Sequence, residues 1–241
     1  MRDPCPMNIA GKSCQCALQL HGGEPGCPYD GASKPELINP GILELNAAPW
    51  QPGPTIVTGP TRSGTSMAAQ VLIAAGVHMG ADLDDGVFED LAVANLIEQQ
   101  DTQMLGFLGD TLSYAWGFKL PGLYQSPYWT QAMQNALPGR RYVIMSRDPV
   151  AMGMREAMAS RGDARSALIE QATSSQRAIL FALQQSCPVL LISYEKAIAK
   201  PLPFVRALTA FAGIRLSELT LQVLTAYVQP ERQRYLDGSV R

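Results

Sequence analysis

The sequence predicts an α/β fold in which a parallel β-sheet is covered by helices on both faces, giving a three-layer sandwich. Two observations lead to this prediction. Short apolar, β-branched strands alternate with helical segments from residue 55 onward. A glycine-containing loop then joins the first strand directly to the first helix, over residues 59–66. In sheets of this kind, ligands bind beyond the carboxyl ends of the strands.

Each element follows from its local pattern. Apolar runs predict strands at 55–58, 116–120, 141–146 and 189–193. Helix-forming segments between them predict helices at 65–76, 86–105, 125–137, 149–160, 164–186, 202–212 and 216–228. A length of 241 residues accommodates one large domain and an appendage. We therefore divide the chain into an N-terminal extension, residues 1–50, and an α/β domain, residues 51–241.

The extension is rich in Cys, Gly and Pro and has no sustained hydrophobic period. Four cysteines, Cys5, Cys14, Cys16 and Cys27, crowd its first 27 residues, and Cys14 and Cys16 with His21 and Cys27 could surround a zinc ion tetrahedrally. Their spacing differs from the usual C-x-x-C knuckle, so a flexible arm with free thiols is the alternative. The remaining cysteine, Cys187, precedes an apolar run and is interpreted as a small buried residue.

The composition narrows the partners and the location. With 46% apolar and 17% charged residues, the chain can bury a proper core. A net charge of −2 provides no general attraction to nucleic acids or anionic membranes, so neither is expected as a partner. The first residues lack the apolar core of a signal peptide, and no run approaches membrane-spanning length. We therefore expect a cytoplasmic location; the oligomeric state is left open.

The loop Gly59-Pro-Thr-Arg-Ser-Gly-Thr-Ser66 indicates an anion site. A strand, a glycine loop and a helix in this order direct several backbone N–H groups at one phosphate. The glycine spacing is that of the P-loop, G-x-x-x-x-G-K-[ST], but Thr65 replaces the lysine. Arg62 is the only cation of the loop. Because nucleotide kinases and hydrolases of this class rely on the missing lysine, the departure argues against them.

A second cation follows another strand. Arg147 directly follows the run 141–146, and Pro149 then opens a helix. The carboxyl ends of parallel strands share one edge, so Arg147 is expected to face the same crevice as the loop and to bind a second anion. The alternative is a structural contact with Asp148.

These two elements resemble the sulfotransferases that use 3′-phosphoadenosine 5′-phosphosulfate (PAPS). In that family a loop of the form P-x-x-[KR]-S-G-T-[ST] holds the 5′-phosphosulfate, and a strand ending in Arg-Asp-Pro or Arg-Asn-Pro begins the 3′-phosphate site. Weaker similarities occur at 87–90, 116–121, 192–195 and 211–213. Together they cover about two-thirds of the chain, from about residue 54 to 213. Residues 1–50 show none.

The resemblance implies roles for the two anion sites. Arg62 would contact the sulfuryl and 5′-phosphate oxygens. Four successive backbone N–H groups would hold the 5′-phosphate, those of Ser63, Gly64, Thr65 and Ser66. The hydroxyl groups of Thr65 and Ser66 would contribute to the same site. Arg147 would bind the 3′-phosphate. The family usually has a serine eight residues after this arginine, and Arg155 stands there instead; we expect it to contact the same phosphate.

The resemblance also suggests the groups that perform the reaction. Glu89 is the candidate general base, because the acceptor must lose a proton as it attacks sulfur. A charge that complements the dipole of the following helix is the alternative interpretation of Glu89. Three further residues could be the base instead: His78, Asp85 and Asp90. Lys119 would stabilise charge on the bridging oxygen of the leaving phosphate.

The leading prediction is thus a metal-independent, PAPS-dependent sulfotransferase acting on a hydroxyl or amine of a small acceptor. A small P-loop kinase and a non-enzymatic nucleotide-binding protein with a zinc-binding arm are the alternatives. Aromatic residues between 80 and 135 are expected to line the acceptor pocket: Phe88, Tyr114, Trp116, Tyr124 and Trp129. Arg232 and Arg234 could fold over the nucleotide or belong to a solvated tail.

Overall fold

The structure is a computed structural model that describes residues 8–9, 12–13, 39–80, 83, 88–112 and 115–229. The predicted zinc ligands in the first 27 residues lie outside the described residues, as do Asp85, Tyr114, Arg232 and Arg234. The chain divides into two compact units, Met1–Asn39 and Pro40–Arg241. In the first unit, β1 (Asn8–Ile9) pairs with β2 (Lys12–Ser13) in an antiparallel ladder.

The second unit contains a five-stranded sheet in the order β3-β7-β6-β4-β5. Its strands are β3 (Ile42–Leu45), β4 (Thr55–Thr58), β5 (Gly117–Lys119), β6 (Arg141–Ser146) and β7 (Val189–Ser193). The last four are parallel, as predicted, whereas β3 runs antiparallel to β7. The prediction of a purely parallel sheet is therefore wrong at one edge.

Strand β3 lies within residues 1–50, which the sequence analysis assigned to the extension. Its four residues show no alternation of buried and exposed side chains, so no period-2 pattern marks them as a strand. The strand is held by its backbone pairing with β7, from Ile42 opposite Ile192 to Leu45 opposite Val189. This pairing depends on residues nearly 150 positions away, which a local pattern cannot reveal.

Helices cover both faces of the sheet because alternate strand residues point to opposite sides. On β6, Val143 and Met145 join one buried cluster, and Tyr142 and Ile144 join the other. The first cluster is covered by α1 (Thr65–Ala74), α7 (Tyr194–Ala199), α8 (Pro201–Phe211) and α9 (Glu218–Leu224). The second is covered by α2 (Leu91–Glu98), α3 (Thr102–Thr111), α4 (Gln131–Asn135) and α6 (Ala164–Gln184).

Capping residues set several helix boundaries. Asp148 accepts hydrogen bonds from the amides of Val150 and Ala151, so α5 (Pro149–Ser160) has the predicted bounds and packs against α6. The single helix predicted at 86–105 is instead two helices. Gln100 adopts a positive φ of 54°, and Asp101 then caps α3 through the amide of Met104. Helix α7, which follows β7 directly and is capped by Ser193, was not predicted.

Within the described part of the chain, none of the helices has both the length and the apolar character needed to cross a membrane.

Candidate active site

The glycine loop connects β4 to α1 at the carboxyl edge of the sheet, as predicted. Gly59 has φ +151°, and a Cβ at this position would collide with the carbonyl oxygen of Met145 on β6. Gly64 has φ +96° and a Cβ there would collide with the ring of Tyr194. Glycine is therefore required at both ends of the turn, because the loop passes against β6 and the aromatic ring without any gap.

The start of α1 presents backbone amides. Gly64 is its N-cap and provides no side-chain hydrogen bond to the helix. The first amides of a helix have no intrahelical acceptor, so an uncapped start is suited to binding an anion. The amide of Ser63 is different, because it donates to the carbonyl of Pro60 at 3.2 Å and closes the turn. Ser63 and Thr65 are buried, and Ser66 is half-buried.

Arg147 lies beside this loop. Its Nη1 donates to the carbonyl oxygen of Arg62 at 3.0 Å, and its guanidinium lies 4.4 Å from the ring centre of Tyr194. Strands β4 and β6 are adjacent and parallel, which brings the residues after them to one edge. The structure thus joins the two predicted anion-binding arginines through a backbone carbonyl and places Tyr194 under both Gly64 and Arg147.

The side chain of Arg62 contacts an acid that the sequence analysis did not single out. Its Nε donates to Oε2 of Glu156 on α5 at 3.0 Å, and both side chains are about a quarter exposed, 26% and 29%. Arg62 itself adopts a positive φ of 66°, which is unusual for a residue with a side chain. Arg155, the neighbour of Glu156, is half-buried on the same helix.

Lys119 and Glu89 form the second ion pair of the site. Lys119 ends β5 and is only 1% exposed, and its Nζ donates to Oε1 of Glu89 at 2.8 Å. Glu89 is 30% exposed and precedes Asp90, the N-cap of α2. A buried ammonium group requires such a partner. Two of the three residues predicted to be catalytic are therefore in direct contact, although they are 30 positions apart.

Asp90 and His78, two further candidates for the general base, lie in different environments from Glu89. Asp90 is 7% exposed, and its Oδ1 accepts hydrogen bonds from the amides of Ala92 and Val93 at 2.9 and 3.2 Å. It therefore serves as a helix cap. His78 forms a backbone bridge with Trp116 at the amino end of β5. Lys119 is three residues after Trp116, about 10 Å farther along the strand. His78 therefore lies at the opposite end of β5 from Lys119.

Two of the predicted acceptor-pocket aromatics belong to the core instead. Trp116 and Trp129 are 3% and 6% exposed, and Nε1 of Trp129 donates to the hydroxyl of Tyr142 at 3.1 Å. Tyr124 hydrogen-bonds to Ser174 at 2.6 Å, and burial raises the pKa of its phenol. Aromatic content alone did not distinguish core packing from a binding surface.

A cavity of about 230 Å³ lies between α2 and the segment that follows β5. One wall is formed by Ala94, Ile97 and Glu98 of α2, and the other by residues 120–123, 126 and 128. The amide of Gly122 in the second wall donates to the carbonyl of Gly59 at 2.9 Å. The cavity thus adjoins the anion loop and is mostly apolar, and Glu98 is the one acidic residue among the described residues that line it.

Gln171 of α6 is a second residue that the sequence analysis missed. It is 1% exposed, and its Nε2 donates to Oγ1 of Thr61 in the loop at 2.9 Å. One signal in the sequence could have found it: Gln171 and Ser174 are polar residues on a helix stripe whose other members are alanines. The stripe consists of Ala167, Gln171, Ser174, Ala178 and Ala182.

The residues present fit an anionic phosphosulfate. An uncapped helix start, hydroxyl groups at Thr65 and Ser66 and the guanidinium of Arg62 are all at one end of the crevice. Gly64, which has no side chain, and the guanidinium of Arg147 lie beside these groups. Hydrogen-bond donors and fixed cations of this kind bind phosphate-like groups.

The fold is that of the sulfotransferases. The chain superposes on the sulfotransferase domain from the curacin biosynthetic pathway with a TM-score of 0.52 and 16% identity, covering 75% of this chain and 79% of that one. For mouse sulfotransferase SULT7A1, solved in complex with PAP, the TM-score is 0.51, with 13% identity and coverage of 74% and 65%.

A third similar structure is retinol dehydratase in complex with androsterone and inactive cofactor PAP, with a TM-score of 0.45, 17% identity and 73% coverage of this chain. The chain spans 64% of the length of this retinol dehydratase. No protein-family model matches the sequence, and no curated protein matches it. At these identities the similarity defines the fold, and the chemistry has to be argued from the site.

Proposed function

We propose that the protein is a sulfotransferase that moves a sulfuryl group from PAPS to a hydroxyl or amine of a small acceptor. The observation that carries the proposal is the convergence of two anion-binding elements at one sheet edge, where Arg147 donates to the carbonyl of Arg62 at 3.0 Å. A donor with phosphate groups at both its 5′ and 3′ positions matches two such elements side by side.

The loop takes the 5′ end of the donor in this proposal. The amides at the start of α1 and the hydroxyls of Thr65 and Ser66 bind the 5′-phosphate, and Arg62 binds both the sulfuryl and the 5′-phosphate oxygens. Glu156 holds the Arg62 guanidinium at 3.0 Å, so the nucleotide competes with this carboxylate. Arg147, with Arg155 eight residues later on α5, takes the 3′-phosphate.

Glu89 accepts the proton in this proposal, and Lys119 stabilises the leaving group. The acceptor oxygen or nitrogen forms a bond to sulfur while the bond from sulfur to the bridging oxygen of the donor breaks. The proton of the acceptor hydroxyl or amine passes to Glu89. The electron pair stays with the leaving 3′-phosphoadenosine 5′-phosphate (PAP). Lys119, already within 2.8 Å of Glu89, provides the fixed positive charge that this leaving group needs. Because protein cations supply this charge, the proposal requires no metal ion.

The cavity between α2 and residues 120–128 is the proposed acceptor site. Its volume of about 230 Å³ is below the range of about 300–1,000 Å³ of most ligand pockets, so the proposed acceptor is small, and the lining suits an apolar body. Its lining includes Leu120, the residue after Lys119, and the proposal directs the hydroxyl or amine of the acceptor from this cavity towards the ion pair.

A thermal-shift experiment tests the class of the nucleotide. PAP without a metal should stabilise the protein, whereas ATP with Mg²⁺ should not. Saturation at a hundred times Kd corresponds to about 2.7 kcal/mol of stabilisation. Stabilisation by ATP with Mg²⁺ alone would favour a kinase, and stabilisation by neither would favour a non-enzymatic role. Transfer of labelled sulfate from PAPS to a panel of small alcohols and amines would then test the activity itself.

A further inference from the structure

Gln171 forms a long-range contact with the tip of the anion loop. Its amide nitrogen donates to the Thr61 hydroxyl at 2.9 Å across 110 sequence positions. The side chain is almost fully buried, whereas Thr61 is exposed. A buried group therefore reaches out to a surface residue of the loop, one position before Arg62.

The burial of Gln171 is costly for the fold. Within the described part of the chain, its Oε1 is buried and has no hydrogen-bond partner. An unsatisfied buried acceptor destabilises a protein, and the alanines on the same stripe of α6 avoid that cost. A residue chosen for packing alone would be apolar here. The contact with Thr61 is what the glutamine adds.

Glu156, Arg147 and Gln171 each bind residue 61 or 62 of the loop, and they differ in how an anion would affect them. Glu156 is bound to the Arg62 side chain, which an anionic donor would draw away. Arg147 is itself a proposed ligand of the donor. Gln171 is neutral and buried behind the loop, so an anion would not compete for its hydrogen bond to Thr61.

We propose that Gln171 is a positioning residue of the donor site. By fixing Thr61 it sets the conformation of the loop at Arg62, whose φ of 66° is unfavourable without support, and so the direction of the amides that follow. The identity of the nucleotide in this proposal rests on the proposed function. The effect on the loop does not.

The test uses substitutions at both ends of the hydrogen bond. Gln171→Met keeps the length of the side chain and removes both its donor and its unsatisfied oxygen. Thr61→Val removes the hydroxyl at nearly constant shape, and Thr61→Ser keeps it. Hydrogen exchange of the loop without ligand and the Kd of PAP are measured for each variant.

We expect faster amide exchange in the loop of Gln171→Met and Thr61→Val, and PAP binding weaker by about threefold to tenfold. Thr61→Ser should behave like the unmodified protein. The double variant should lose little more than either single one, because both remove the same bond. The melting temperature of Gln171→Met should be unchanged or higher, which separates positioning from a structural role.

Unchanged loop exchange in Gln171→Met and Thr61→Val would overturn the inference, whichever nucleotide binds. Additive losses of affinity in the double variant would overturn it as well. If Gln171→Met fails to fold, the comparison of Thr61→Val with Thr61→Ser decides the question. If the unmodified protein does not bind PAP, the proposed function fails, and loop exchange still tests Gln171.

Discussion

Lys119 and Glu89 contact each other at 2.8 Å although their environments differ sharply: the lysine is 1% exposed and the glutamate 30%. The pair therefore connects the buried end of β5 with the open crevice. Substitutions of the two residues cannot be independent, since the loss of the carboxylate leaves an ammonium group buried without this partner. The choice of substitution thus decides whether chemistry or folding is tested.

Glu89→Gln should lower kcat by about 10²–10⁴-fold, as expected for the loss of a general base, and leave the Kd of PAP nearly unchanged. The amide oxygen can still accept a hydrogen bond from Lys119, so the melting temperature should fall only slightly. The melting temperature of Glu89→Ala should fall much further, because alanine leaves Lys119 without this hydrogen-bond acceptor. A near-normal rate for Glu89→Gln, measured in the sulfate-transfer assay, would move the role of base to another residue.

Arg147→Ala should weaken PAP binding more than the binding of adenosine 5′-phosphate, because only PAP carries the 3′-phosphate. Calorimetric titration of both nucleotides gives the comparison. Arg147→Lys is the control, since it keeps the charge while losing the bidentate geometry of the guanidinium. Equal losses for the two nucleotides would mean that Arg147 acts only by holding the carbonyl of Arg62.

Glu156→Gln should strengthen PAP binding by up to about fivefold, because the nucleotide no longer competes with a carboxylate for Arg62. Glu218→Gln is a matched control. Glu218 forms an ion pair with Arg206 between α8 and α9, away from the loop, so its substitution should leave the Kd unchanged. Weaker binding in Glu156→Gln would indicate that the ion pair holds Arg62 in its productive orientation.

Gly64→Ala should lose both stability and nucleotide binding, because its Cβ would collide with Tyr194. Gly76→Ala provides a close control: Gly76 has a similar φ of +94°, and a Cβ there would meet nothing within 4 Å. Both substitutions carry the backbone cost of about 1–2 kcal/mol. Urea unfolding of the two variants should therefore differ by the effect of the collision. Equal losses would argue against close packing of the loop on Tyr194.

High pH should destabilise the fold through Tyr142. Burial raises the pKa of its phenol to about 12, above the value near 10 of an exposed tyrosine. The folded state thus holds its proton more tightly, and the stability that this provides is complete below about pH 10 and lost as the pH rises towards about 12. Unfolding measurements on the unmodified protein and Tyr142→Phe should diverge over this range. Parallel curves would contradict the assignment.

Much of the fold could be predicted from the sequence because its signals are local. Strand β4 and helix α1 are marked by an apolar run followed by glycines, and the bounds of α5 by the Asp148-Pro149 cap. Strand β3 could not be predicted, since four residues without alternation become a strand only by pairing with β7.

The candidate site also has a part that could be predicted from the sequence and a part that could not. Arg62 and Arg147 follow strands and Lys119 ends one, and parallel strands bring such residues to one edge, so their convergence could be predicted. The contacts of Glu156 and Gln171 with the loop could not. They span 94 and 110 positions and depend on how α5 and α6 pack beside the crevice. Side-chain packing between distant elements leaves no periodic signal in a sequence.

The two ion pairs also affect how fast a nucleotide can arrive. Because Arg62 is paired with Glu156 and Lys119 with Glu89, the crevice presents dipoles at these positions instead of two uncompensated positive charges. These two positions therefore contribute little electrostatic steering of an arriving nucleotide. The substitutions Arg62→Gln and Lys119→Gln should accordingly change the on-rate and its dependence on ionic strength less than they change how long the nucleotide stays bound.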